Sequence, residues 1–444
     1  MKILAKTCEN PLVHANTKVA VRPSLKINSL WTLLGNVVNA GSQSAYLIVI
    51  AKLGSPDLVG KFAFALALVT PVFMFTNLHL RSIQATDAKG DFRFVDYLGL
   101  RIIMTSLALF IIFIIVLCSK YQMDLVLLLG CIGVAKAIES ISDTVYGLFQ
   151  RHENMKIIAS SMMIKGPLSL IVLSVLLITS GNIVLASLGI AVSWLSVCVC
   201  YDLNYGFKLI RSNNKLTNGD NGKPYNTWNG VELYKLFLVS FPMGVVMFLD
   251  SLYINIPRYF IEHLLGTIEL GYFAALASLS MAGTTVVSAV GRTISPRLAT
   301  YYSTHMFHEF KSLLRRIILL SVIIGIFGIL IAVLIGDTLL SIIFTPEYAT
   351  YLPVFVLLMI AVMFLCITNF LGCAVTAMRL FKVQVPIHIL NLLVTTMISV
   401  WTIKQFGLIG ATFAILAGAV VMSLCYLIIL VVTWNKITAN SERL

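Results

Sequence analysis

The sequence predicts an all-α polytopic membrane protein of about twelve transmembrane helices arranged in two six-helix lobes. Three observations predict it. Mean hydropathy is +0.93, with 59% hydrophobic and only 11% charged residues, outside the range of a soluble domain of this length. Apolar runs of about 20 residues, the length that crosses a bilayer, recur from end to end. The chain also repeats itself at half its length. Gly60, Phe62 and Ala63 share their spacing with Gly271, Phe273 and Ala274, and one single-residue gap lays Leu53-Gly54 over Leu265-Gly266. Repeated bundles of this kind are the usual architecture of secondary transporters.

Residues 1–28 are polar and basic, carry Pro11 and Pro23, and lack the apolar stretch of a cleavable signal. They are expected to form a cytoplasmic tail, with the first span acting as the targeting signal. Spans are expected near 29–51, 58–80, 96–118, 124–149, 157–179 and 183–206, which make an N-lobe over 29–211. Residues 212–228, rich in Asn, Gly and Lys, read as a flexible cytoplasmic linker. Six more spans, near 235–256, 270–292, 315–335, 352–377, 383–403 and 408–434, make a C-lobe over 229–434, and 435–444 form a second cytoplasmic tail.

Charge orients the bundle. With the N-terminus inside, only Lys52, Lys61, Lys120, Arg258 and Lys404 of the 32 Lys and Arg fall in outer loops. Arg101, Lys136 and Lys165 fall within spans, and the rest face inward. The positive-inside rule then places both termini in the cytoplasm. The net charge of +13 is read as topology and contact with anionic membrane lipids; no nucleic-acid motif accompanies it. Seven of the eight cysteines lie in apolar runs, where Cys behaves as a small hydrophobe. Cys198-x-Cys200 lacks zinc-site spacing. No metal or organic cofactor is expected, and His388, like the other histidines, is read as structural.

Ionisable groups at membrane depth are functional candidates, because each costs about 2.5–3.5 kcal/mol on insertion scales. Lys136, Glu139 and Asp143 recur at i, i+3 and i+7 on one face of the fourth span. Lys165 on the fifth span lies at a depth that permits a pair with Asp143. These four groups, with Asp250 of the seventh span, are the candidates for coupling transport to H⁺ or Na⁺; a static buried pair is the competing reading. Asn36, Asn39 and Gln43 share one face of the first span, and the repeat maps Gln43 onto Asn255. Such amides either line a path or bond helices together. Arg81 and Arg292 end the second and eighth spans at matching places in the two repeats. A cationic ring there would attract a diphosphate, while a positive-inside residue is the alternative.

Four stretches carry a family likeness: Asn77–Asp87 (NLHLRSIQATD), Ile141–Arg151 (ISDTVYGLFQR), Asn255–Phe260 with Leu270–Ala274, and Ser295–Ala299. In order and spacing they resemble the polysaccharide-exporter flippases of the multidrug/oligosaccharidyl-lipid/polysaccharide (MOP) superfamily, over essentially Ser29 to Trp434. The resemblance implies a V-shaped, MATE-like pair of lobes around a cationic cavity in a bacterial cytoplasmic membrane. It implies an undecaprenyl-diphosphate-linked oligosaccharide as cargo, for O-antigen, lipopolysaccharide or capsule, delivered to polysaccharide polymerase machinery. On that reading Arg81, Arg258 and Arg292 meet phosphate and acidic sugars, and Asn36, Asn39, Gln43, Gln84 and Asn255 meet sugar. The lipid II flippase branch usually has two more spans and arginines in its first span; this chain shows neither. The rival readings are a cation-coupled drug or small-molecule antiporter of the same superfamily, and a membrane glycosyltransferase, polymerase or ligase. Every outer loop is short, which argues against an enzyme.

Overall fold

The computed structural model describes residues 25–87, 90–214, 229–378, 380 and 383–441, and among them only helices form, with no strand. The tail expected at 1–28 and the linker at 212–228 fall largely outside the described residues, whereas most of the tail expected at 435–444 continues the last helix as far as Ser441. Helices α1 (Leu25–Leu53) and α2 (Pro56–Thr76) make the first hairpin. Its turn is written in sequence: Ser55 caps α2 by accepting from Leu58 N, Pro56 occupies the first helical position, and Asp57 sits in the first turn. A short α3 (Leu80–Thr86) continues α2 after a break. Then follow α4 (Phe94–Cys118), α5 (Met123–Arg151) and α6 (Met155–Ser180). Helix α7 (Ile183–Val197) runs through a π-helical turn, Cys198–Leu203, into α8 (Asn204–Asn214).

The second half begins with the long α9 (Gly230–Leu265) and α10 (Thr267–Ser303), separated by Gly266 alone. That residue has φ 92°, open to glycine and strained for anything with a Cβ. After α11 (Phe307–Ile343), a single turn α12 (Pro346–Ala349), α13 (Leu352–Ala377), α14 (Gln384–Phe406) and α15 (Leu408–Ser441) complete the bundle. Eleven helices among the described residues are long and apolar enough to cross a membrane; the apolar part of α10 described is Thr267–Met281. Outward-facing side chains such as Phe110, Phe113, Phe327 and Leu334 are large and apolar, as lipid contact requires. The chain is a multi-pass membrane protein.

Helix α1 packs on α6, α6 on α7, α7 on α5, and α5 on α4 and α2. In the second half α10 and α11 pack on α13, α13 on α15, α15 on α14, and α14 on α9. Helix α2 joins the two sets by packing on both α10 and α9. The α2–α10 crossing lies at the end of the bundle opposite the chain termini. There a Cβ on Gly60 would stand 1.8 Å from the Thr267 carbonyl oxygen, and one on Gly271 would stand 1.9 Å from the Pro56 carbonyl oxygen. The equivalent glycines of the sequence repeat are therefore the reciprocal contact between its two copies, with backbone touching backbone as small residues permit in membranes. Thr267 Oγ1 donates to Asp57 across the same crossing, and the Tyr259 hydroxyl donates to the Ala67 carbonyl at 2.5 Å.

Gly60→Ala and Gly271→Ala are each expected to force the crossing apart and to lower stability by about 1–3 kcal/mol. Gly41→Ala, where a Cβ meets nothing within 4 Å, should be neutral. Thermal unfolding of the purified variants in detergent checks this; equal melting temperatures for all three would remove the crossing from the account.

Candidate functional site

The polar groups of the first half converge where α2 breaks. Leu78 and His79 both adopt left-handed backbone, φ 49° and 52°, which costs a non-glycine residue about 1–2 kcal/mol. Packing secures the strain: Leu78 is fully buried with Leu80, Tyr97, Leu100, Met104 and Leu236. The break turns Asn77 into a polar anchor. Its carbonyl and its Oδ1 accept from Arg101 Nη1 at 3.1 and 2.5 Å, and Oδ1 also accepts from Ser140 Oγ at 2.8 Å.

Arg101 is fully buried, and its Nε donates to Thr144 Oγ1 at 2.8 Å. Asp143 of α5 then bridges two guanidiniums, accepting from Arg81 Nη1 at 3.2 Å and from Arg101 Nη2 at 3.4 Å. Arg81 Nε also donates to Gln150 Oε1 at 3.1 Å, and its guanidinium lies 5.4 Å from the centre of the Tyr146 ring. At the end of α3 the Asp87 carboxylate gathers backbone N–H groups of Gly90, Asp91 and Phe92 at 3.0, 3.0 and 3.3 Å. Burial pushes its pKa up, but those N–H groups and the Arg151 guanidinium outweigh burial and hold it below the usual carboxylate range.

A cavity of about 490 Å³ opens on this cluster, within the range of ligand sites. One wall is polar: Thr32, Asn36, His79, Arg81, Ser82, Asp143 and Gln150. The other is apolar: Met155, Ile158, Ala159 and Met162 of α6, with Met247 reaching in from α9 of the second half.

Against this cavity lies a sealed ion pair. Lys165 Nζ donates to Ser142 Oγ (2.8 Å), to the Tyr146 hydroxyl (3.3 Å) and to Asp202 Oδ2 (3.3 Å). Ser161 Oγ donates to Asp202 Oδ1 at 2.5 Å. Asp202 is fully buried and stands on the π-helical turn, a distortion frequent at functional positions. The Asp143–Lys165 pair that their depth permits does not form. Ser142 and Asp143 are neighbours about 100° apart on α5, so Ser142 faces Lys165 while Asp143 faces the two arginines.

The second half holds a cavity of about 330 Å³ lined by Asp250, Tyr253, Thr368, Gln384, His388 and Tyr426 among others. Asp250 Oδ1 stands 2.7 Å from His388 Nδ1, without hydrogen-bond alignment. His388 Nε2 lies 3.4 Å from the Tyr426 hydroxyl. His388, read from sequence as merely structural, is the partner of the deepest acid of this half.

The remaining candidates fall in different places. Lys136 pairs with Glu139 at 2.7 Å, and Gln43 reaches Glu139. Asn36 lines the larger cavity, its amide donating to the Thr32 carbonyl at 2.7 Å. Asn39 stands at the α1–α6 crossing, beside Gly166. Gln84 is buried against α5: with its amide oriented so that Nε2 donates to the Thr144 carbonyl at 3.0 Å, it bonds helices and does not open to the cavity. Asn255 is buried too, its amide donating to the Ser251 carbonyl and its Oδ1 accepting from Arg258 Nη1 at 3.1 Å. Among the described residues Arg258 makes no salt bridge, and it lines neither cavity. Arg292 belongs to α10, but its side chain lies outside the described residues. Arg101, Asp202, His79 and Gln150 escaped the sequence reading; for Arg101 and Asp202, charge inside an apolar run was the available signal.

A polysaccharide biosynthesis protein family profile matches residues 25–302. The capsular polysaccharide biosynthesis protein CapF of Staphylococcus aureus is 26% identical over 401 residues, covering 90% of this chain and 97% of that protein. Among solved structures, the Vibrio cholerae MATE transporter VcmN is similar with TM-score 0.62 and 14% identity, covering 91% of this chain and 96% of that one. An inward-facing multidrug resistance MATE family transporter of the MOP superfamily is similar with TM-score 0.63 and 13% identity, covering 94% and 95%.

Asp202→Asn leaves the Lys165 ammonium buried without its carboxylate and is expected to destabilise the protein by about 3–5 kcal/mol. The double variant Lys165→Met/Asp202→Leu should recover most of that loss. Unfolding in detergent measures both; a single variant as stable as wild type would show the pair to be dispensable.

Proposed function

Because the chain belongs to the polysaccharide biosynthesis protein family, and its fold is that of the MATE transporters, we propose that it is a flippase for a lipid-linked glycan. Its cargo is an undecaprenyl-diphosphate-linked oligosaccharide, moved from the inner to the outer leaflet of a bacterial cytoplasmic membrane, both termini lying in the cytoplasm. The observation that carries this reading is the two-sided cavity of the first half. A phosphate bonded to both a lipid and a sugar needs a cation, neighbouring polar groups and an apolar wall. Arg81 supplies the first. Asn36, Ser82 and Gln150 supply the second, and Met155, Ile158, Met162 and Met247 the third. Met247 belongs to the other half, so the cavity changes shape when the halves move about the Gly60–Gly271 crossing. That is the geometry alternating access requires. Delivery in the outer leaflet hands the unit to polymerase machinery.

Coupling to H⁺ or Na⁺ runs through Asp250, which faces the second cavity. Glu139 and Asp143 are each held by cations of their own half, Lys136 for the one and Arg81 with Arg101 for the other. The Asp250–His388 cavity also favours a second reading, a proton- or cation-coupled exporter of small cationic molecules. The larger cavity, whose one aspartate among the described residues is already paired with Arg81, offers such a cargo no free carboxylate.

The separating experiment is complementation of a bacterium that lacks its own glycan flippase, scored by surface polysaccharide with expression checked. Wild type is expected to rescue, Arg81→Ala to lose at least about tenfold of the rescue, Arg258→Ala, at a residue lining neither cavity, to rescue like wild type, and Asp250→Asn to reduce it. Rescue unaffected by Arg81→Ala would overturn the cationic path. Export of organic cations without any glycan rescue would favour the second reading.

A further inference from the structure

Among the described residues Asp143 is the one carboxylate on the wall of the larger cavity, and it neutralises the arginine an anionic cargo needs. Its bonds are loose. The contacts to Arg81 and Arg101 are 3.2 and 3.4 Å, longer than the 2.7–2.9 Å of strong charge-assisted bonds, and neither is the bidentate fork of a tight Arg–carboxylate pair. Its side chain remains 30% exposed.

Neither arginine depends on it for position. Arg101 is fixed by the Asn77 carbonyl, Asn77 Oδ1 and Thr144 Oγ1. Arg81 is fixed by Gln150 Oε1 and by the Tyr146 ring. The backbone of α5 is itself tied on both sides of Asp143, through Ser142 to Lys165 and through Thr144 to Arg101, so the carboxylate can swing away by side-chain rotation alone. Beside it, His79 Nδ1 is buried and has no hydrogen-bond partner among the described residues. The same residue sits on strained backbone that aims it at the cavity. A buried polar atom left without a partner beside a cavity is available to bond a ligand there.

We propose that Asp143 is a built-in competitor for the phosphate position: the cargo's diphosphate displaces it from Arg81 and takes His79 and Gln150 as further contacts, and the carboxylate's return expels the cargo. This rests on the flippase reading and adds its release step. Charge matching supports it. With Asp143 paired, its charge offsets Arg81 on the cavity wall; with it displaced, the Arg81 guanidinium is released to the diphosphate, and the buried Arg101 charge behind it adds to the attraction. A site without Asp143 would hold the anion too well, since interactions that bind without being given up slow turnover.

The test uses the purified full-length chain in detergent and farnesyl diphosphate as probe, with binding measured by calorimetry. Asp143→Asn is expected to bind the probe roughly five- to tenfold tighter than wild type, and Arg81→Gln to bind at least about tenfold weaker. In the complementation assay Asp143→Asn should rescue less than wild type despite its tighter binding. Asp143→Ser is the second neutral variant if the amide does not fold. Wild-type binding that Asp143→Asn and Asp143→Ser leave equal or weaken would overturn the competitor role and reduce Asp143 to a group that positions Arg81. Absence of probe binding by wild type and both neutral variants would overturn the phosphate site itself, and the flippase reading with it.

Discussion

A charge placed in hydrocarbon must be compensated by another group of the protein, and this constraint organises the first half of the molecule. Lys136 meets Glu139, Lys165 meets Asp202, and Arg81 and Arg101 share Asp143. The three arrangements differ in what surrounds them. Lys165 and Asp202 are sealed, with hydroxyls from Ser142, Tyr146 and Ser161 completing their shells. The arginine–aspartate cluster is open on one side to a cavity with an apolar far wall. A sealed pair holds helices in register; an open, incompletely matched one can exchange partners. Function follows from that difference in solvation more than from the identity of the charges.

The second constraint is backbone contact between the halves. Gly60 and Gly271 allow α2 and α10 to touch at the end away from the termini. Nearer the termini, α2 and α9 meet through side chains as well as backbone: Phe75 meets Phe241 and Phe248 edge to face, while a Cβ on Gly244 would stand 2.7 Å from a Leu78 methyl and 2.9 Å from the Phe75 carbonyl oxygen. Side chains re-pack more readily than backbones part. The α2–α10 crossing has the closer backbone approach of the two, and the cavity, with Met247 in its wall, lies beside the α2–α9 contact.

Much of this was legible in the sequence, and what was not has a physical reason. Apolar runs mark helices because bilayer thickness dictates their length, so the helical class followed directly from hydropathy. The Gly60 and Gly271 correspondence was visible as a repeat, since only glycine suits a backbone contact. Pairings were harder. Asp143 and Lys165 lie at compatible depth, but depth does not say which way a helix faces, and Asp202 entered through a π-helical turn that shifts its phase. The break at Leu78 and His79 carries neither Gly nor Pro; tertiary burial of Leu78 imposes it against local preference. Gln84, close in sequence to Arg81 and Ser82 of the cavity lining, faces α5. His388 showed no metal-ligand spacing and was passed over, because its partner lies on another helix.

The most direct measurement is site-specific photo-crosslinking in cells that assemble lipid-linked glycans. A photoreactive residue would replace Asn36 or Met155 on the cavity wall in turn, and lipid-facing Leu334 as reference. The account predicts adducts carrying both a diphosphate lipid and sugar from the two cavity positions and none from Leu334. Adducts at Leu334 alone, or equal capture at all three positions, would contradict passage of the cargo through this cavity.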